Sequence, residues 1–113
     1  MRGGIDLGGT KIQAVVVDGD NAVQGQARVP TPTTGGPSDV ADAMASALGE
    51  AAESAGAQTA ELEGVGVGSP GEVDAGAGTV TSARNLPDWE GTFGLGEALS
   101  DALRTRVALG NDV

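Results

Sequence analysis

The chain has 113 residues, enough for one domain that buries roughly two-thirds of the surface its unfolded form exposes. Sixteen acidic residues against six basic ones give a net charge of −10, a balance that favours solubility and argues against nucleic acid as a partner. With no cysteine and no histidine, disulfides and the usual zinc constellations are excluded within these residues. No stretch approaches the roughly 20 apolar residues of a membrane span, and no apolar signal region follows Arg2, so a cytoplasmic location is expected.

Three strands are expected first. Gly3–Leu7 is short and apolar, Ile12–Val17 is rich in β-branched residues, and Ala22–Val29 alternates, with Val23, Gly25, Ala27 and Val29 in one row. Gly8-Gly9 and Asp18-Gly19-Asp20-Asn21 punctuate them, which predicts an antiparallel meander. A Pro/Thr/Gly loop, Pro30–Pro37, leads to a helix over about Ser38–Ala55. Its stripe is Val40, Met44, Ala47, Leu48, Ala51 and Ala55, with Asp39 and Asp42 in the first turn and Gly56 as the stop.

Leu62–Gly68 reads as a fourth strand, and Thr79–Thr81 as a short one after the glycine-rich run Gly71–Gly78. A loop through Arg84–Trp89 precedes a helix over about Phe93–Arg104, with Leu95, Leu99, Ala102 and Leu103 on one side. The last strand is expected at Val107–Leu109. The principal order is βββαβαβ, an α/β pattern with no internal repeat.

Three constellations can carry chemistry. In Asp6-Leu7-Gly8-Gly9-Thr10-Lys11, two glycines let backbone N–H groups turn toward an anion. Thr10 adds a hydroxyl and Lys11 a positive charge, while Asp6 is placed to hold the water shell of a Mg²⁺ ion. A plain hairpin turn uses the same glycines; the flanking residues weigh toward phosphate. The spacing is not that of a Walker A loop.

Gly66-Val67-Gly68-Ser69-Pro70-Gly71 matches G-x-G-x-x-G after a strand. A dinucleotide site also needs a helix immediately afterwards to receive the pyrophosphate, and Glu72–Thr81 has no helical stripe. A rigid bend open to a ligand fits better, with Pro70 fixing φ. The third constellation, Asn111-Asp112, follows the last strand, at the carboxyl end where open α/β sheets bind ligands. A carboxylate there can act as a base, and the same pair is a favoured helix cap.

Taken in order and spacing, Ile5–Lys11, Gly68-Ser69-Pro70-Gly71, Asn85-Leu86-Pro87 before Trp89, and Leu109-Gly110-Asn111-Asp112 resemble the ROK family of sugar kinases and repressors. The resemblance covers Gly3 to Asp112. It implies a ribonuclease H-like fold, as in actin and hexokinase, with two domains around a cleft. Residues 1–113 then correspond to the N-terminal domain, truncated after the last strand. The expected activity is ATP-dependent phosphorylation of a hexose, with glucose as the default sugar and N-acetylmannosamine, fructose and allose as rivals.

By this resemblance the Gly8-Gly9 hairpin is the first phosphate loop of the ATP site. Ser69, Gly71 and Asn85 lie near the sugar, Asn111 holds a sugar hydroxyl, and Asp112 is the catalytic base. The second phosphate loop, the adenosine pocket and the family's Cys/His zinc motif are not among these residues, so the isolated chain is expected to be inactive or nearly so. Exposed apolar surface on the unpartnered face is expected to favour self-association, and dimers are usual in the family. Two other readings differ in class. A sugar-responsive regulator carries a helix-turn-helix domain ahead of the phosphate loop, for which two residues leave no room. A non-catalytic sugar- or nucleotide-binding module is the other.

Overall fold

The computed structural model describes residues 1–81 and 91–111, for Asn111 the backbone only. The expected meander forms: β1 (Arg2–Leu7), β2 (Lys11–Val17) and β3 (Val23–Pro30) pair antiparallel in sequence, though a register shift at Val16/Val17 leaves Val23 exposed and outside the predicted inward row. Ile5, Leu7, Ile12, Ala14 and Val16 face inward and are buried. The β2–β3 turn is closed by Asp18, whose Oδ1 accepts from the amides of Asp20 and Ala22 at 2.9 and 3.0 Å. Asn21 takes a left-handed conformation there (φ 63°), which its short polar side chain tolerates.

Helix α1 spans Gly36–Ser54, two residues earlier than the sequence suggests. Pro37 lies in the first turn, where its missing N–H costs no helical bond. The earlier start leaves Asp39 as the acid of that turn, so Asp42 does not share the role. The end is as expected. Gly56, at φ 76°, donates to the Glu53 carbonyl and Ala57 to that of Ala52, the paired bonds of a Schellman stop. Val40, Met44, Ala47, Leu48 and Ala51 are all buried against the sheet.

Strand β4 (Val65–Ser69) then pairs parallel with β1. It begins later than the hydrophobic run implies, because Leu62 caps a short 3-10 turn over Thr59–Glu61. Next comes a small antiparallel sheet of β5 (Glu72–Asp74), β6 (Thr79–Thr81) and β7 (Thr92–Phe93). This meander extends the βββαβαβ order. Phe93 belongs to it, paired with Val80, and not to the following helix.

Helix α2 therefore runs Leu95–Leu103. Leu95, Leu99 and Leu103 are buried, whereas Ala102 is exposed and drops out of the predicted stripe. Gly96 permits the helix to approach the β5–β6 turn, since a Cβ there would lie 3.2 Å from Gly78 Cα. Strand β8 (Val107–Asn111) completes the larger sheet, parallel to β4, in the order β3-β2-β1-β4-β8. Both helices pack into one core with the inward row of this sheet. Among the described residues no element covers the opposite face. There Val15, Gly4, Gly66 and Ala108 form a row in register across four strands.

Candidate active site

Three parallel strands end at one edge of the sheet, and that edge gathers motifs far apart in sequence. Asp6 on β1 is in register with Gly68 on β4, and Gly68 with Gly110 on β8. One step further, Ser69 is in register with Asn111. The Gly8–Lys11 hairpin leaves β1 at the same edge. The carboxyl ends of parallel strands are where open α/β sheets bind ligands.

Asp6 is exposed, and its side chain makes no hydrogen bond or ion pair with any described residue. A groove of about 320 Å³, lined by Gly4, Ile5, Asp6, Gln13, Val15 and Gly66, lies beside it. Gly68 and Gly110 carry no side chains, and a Cβ built at Gly110 meets nothing within 4 Å. The exposed Asp6 carboxylate is the donor type that Mg²⁺ takes directly or through water.

The hairpin itself is tightly specified. The Gly8 N–H donates to the Lys11 carbonyl at 3.0 Å. A Cβ at Gly8 would sit 2.9 Å from that same oxygen, so a side chain there forces backbone apart. Among the described residues the N–H groups of Gly9 and Thr10 have no acceptor. The side chains of Thr10 and Lys11 are exposed, also without a described partner. Consecutive free amides beside a hydroxyl and an ammonium are the groups from which anion-binding nests are built.

The Ser69–Gly71 turn plays a different part from a set of exposed donors. Ser69 is fully buried, and its Oγ–H donates to the Pro70 carbonyl at 3.0 Å. It therefore shapes the turn. Gly71 adopts φ 89°, a conformation L side chains rarely take. The chain continues into β5 and not into a helix, so the G-x-G-x-x-G match lacks the context of a dinucleotide site. Asn85 and Asp112 lie outside the described residues, as does the predicted Arg84–Trp89 loop. The backbone of Asn111 is at the end of β8, and Asp112 follows it directly.

Sequence reading missed Thr31. This residue is buried at the start of the loop after β3 and hydrogen-bonds the hairpin. The bond spans 23 residues, and no local pattern around Thr31 signals it.

A family-wide sequence profile of the ROK family matches residues 2–113. The chain is 39% identical over 107 residues to a glucokinase of Streptomyces coelicolor, covering 94% of this chain and 29% of that relative. In structure it is similar to a ROK hexokinase from Thermus thermophilus, with a TM-score of 0.84 and 37% identity over 97% of this chain and 34% of that one. It is also similar to a ROK family glucokinase from Streptomyces griseus in complex with glucose and AMPPNP, with a TM-score of 0.82 and 34% identity over 98% of this chain and 33% of that one. The chain thus spans about a third of the length of these relatives. The architecture is that of the N-terminal part of the actin-like ATPase kinases. Across residues 2–113, the chain belongs to the ROK family.

Proposed function

We propose that this chain supplies the first phosphate loop and the catalytic base of an ATP-dependent hexose kinase, with glucose converted to glucose 6-phosphate. The convergence of Asp6, the Gly8–Lys11 hairpin, the Ser69–Gly71 turn and Asn111 at one sheet edge carries this reading. The bound glucose and AMPPNP of the Streptomyces griseus glucokinase support it.

Phosphoryl transfer proceeds through a loose transition state, so positioning and charge stabilisation supply most of the catalysis. The Gly9 and Thr10 amides, the Thr10 hydroxyl and Lys11 hold phosphate oxygens. Asn111 orients the sugar by one hydroxyl, and Asn85 and the Ser69–Gly71 turn shape the sugar side of the cleft. The Asp112 carboxylate accepts the proton of the attacking hydroxyl as its oxygen bonds to the γ-phosphorus and the bond to the β-phosphate oxygen breaks, leaving ADP. Asp6 is the residue that would hold Mg²⁺, and the ion would neutralise phosphate charge when bound.

The test is a chimera in which this chain replaces the matching segment of the Streptomyces coelicolor glucokinase. ATP-dependent phosphorylation of glucose, in preference to N-acetylmannosamine, fructose and allose, is the expected result. A folded chimera that turns over no hexose contradicts the reading, while the isolated chain is expected to show little or no turnover.

A further inference from the structure

We infer that Thr31 is a positioning residue that holds the Gly8–Lys11 hairpin in its anion-binding conformation. The inference rests on the phosphate-loop reading above for its ligand, and on geometry alone for the positioning.

Thr31 and Ser69 are the two buried polar side chains among the described residues, and Thr31 is 4% exposed. Its Oγ1–H donates to the Gly8 carbonyl at 2.7 Å. Its own N–H donates to the Thr10 carbonyl at 3.0 Å. One residue thus engages the carbonyls on both sides of Gly9. In a planar trans peptide the C=O and N–H point in opposite directions. Fixing the Gly8 carbonyl therefore fixes the Gly9 N–H on the side away from Thr31, fixing the Thr10 carbonyl does the same for the Lys11 N–H, and the Gly9–Thr10 peptide between them is held at both ends.

Glycine is the residue least able to hold one conformation unaided. A Gly-Gly hairpin fits an anion only if something else orders it before the ligand arrives, and ordering in advance reduces the entropy lost on binding. Thr31 supplies that order from outside the hairpin.

The experiment compares the ¹⁵N-labelled chain with Thr31→Val, which removes the hydroxyl at nearly constant shape, and Thr31→Ser, which keeps it. Without ligand, Thr31→Val is expected to speed Gly8 amide exchange at least about tenfold and to shift the Gly8, Gly9 and Thr10 resonances, with the α1 core unmoved. Thr31→Ser is expected to match the parent. Titration with inorganic tripolyphosphate and with Mg²⁺–AMPPNP should then show roughly tenfold weaker binding for Thr31→Val, the size of one lost hydrogen bond, and binding within about twofold for Thr31→Ser.

Unchanged hairpin exchange in Thr31→Val overturns the inference, as do shifts spread through the core. Should Thr31→Val fail to fold, Thr31→Ser decides: a hairpin exchanging as fast as an unstructured segment overturns it. If the parent binds neither probe, the phosphate reading and the ligand half of this inference fall, and the ligand-free exchange still decides whether Thr31 pins the hairpin.

Discussion

Ser69 and Asn111 are register partners at the carboxyl ends of the parallel strands β4 and β8, although 42 positions separate them in the chain. Their pairing brings the bend after β4 and the end of β8 to one place. In the chimera with the Streptomyces coelicolor glucokinase, Asn111→Ala should raise the KM for glucose about tenfold with a smaller change in kcat, as expected for a lost hydroxyl contact made in both ground and transition states. Steady-state kinetics with varied glucose measures the split.

Gly8 is constrained by the backbone of Lys11. A Cβ there lies 2.9 Å from the Lys11 carbonyl oxygen, so Gly8→Ala must open the hairpin. The expected cost is about 1 kcal/mol of stability, at the low end for overpacking, with at least about tenfold weaker binding of Mg²⁺–AMPPNP. Chemical denaturation and calorimetric titration of the same sample separate the two effects.

Gly25 on β3 faces the last turn of α1, and a Cβ there would fall 2.0 Å from the Ala51 carbonyl oxygen. Neither backbone can yield without breaking a helix or a strand. Gly25→Ala should destabilise the chain by about 3 kcal/mol and lower the melting temperature by roughly 10 °C or more.

Gly66 on β4 offers the opposite case. It is exposed, and a Cβ there meets nothing within 4 Å. Gly66→Ala should stabilise this chain by about 0.5–1 kcal/mol, because glycine loses more backbone freedom on folding than alanine does. A rise in the urea midpoint at constant slope checks it.

The contrast between Gly25 and Gly66 also shows where sequence reading stops. The stripe of α1 follows from side-chain chemistry, so Met44 and Leu48 are legible as core, whereas the β-branched run of β2 marks a strand without saying which of its faces is buried. The antiparallel meander is legible too, because its turns are local. The small sheet of β5, β6 and β7 is not, since β7 is two residues long and pairs with β6 across a gap. That pairing removed Phe93 from the predicted helix. The site was legible as three motifs, and their convergence depends on parallel register, which no single segment encodes. Thr31 reaches Gly8 from a separate loop, and a single sequence contains no signal for such a contact.

The most direct test of the central claim is the effect of Asp112→Asn on kcat in the glucokinase chimera. The substitution keeps size and hydrogen-bonding reach while removing the base. If Asp112 accepts the proton of the sugar hydroxyl, kcat falls by about 10²–10⁴-fold while the KM values for glucose and ATP stay within a few fold. Turnover equal to that of the parent chimera would contradict the assignment of this chain as the base-bearing part of a hexose kinase.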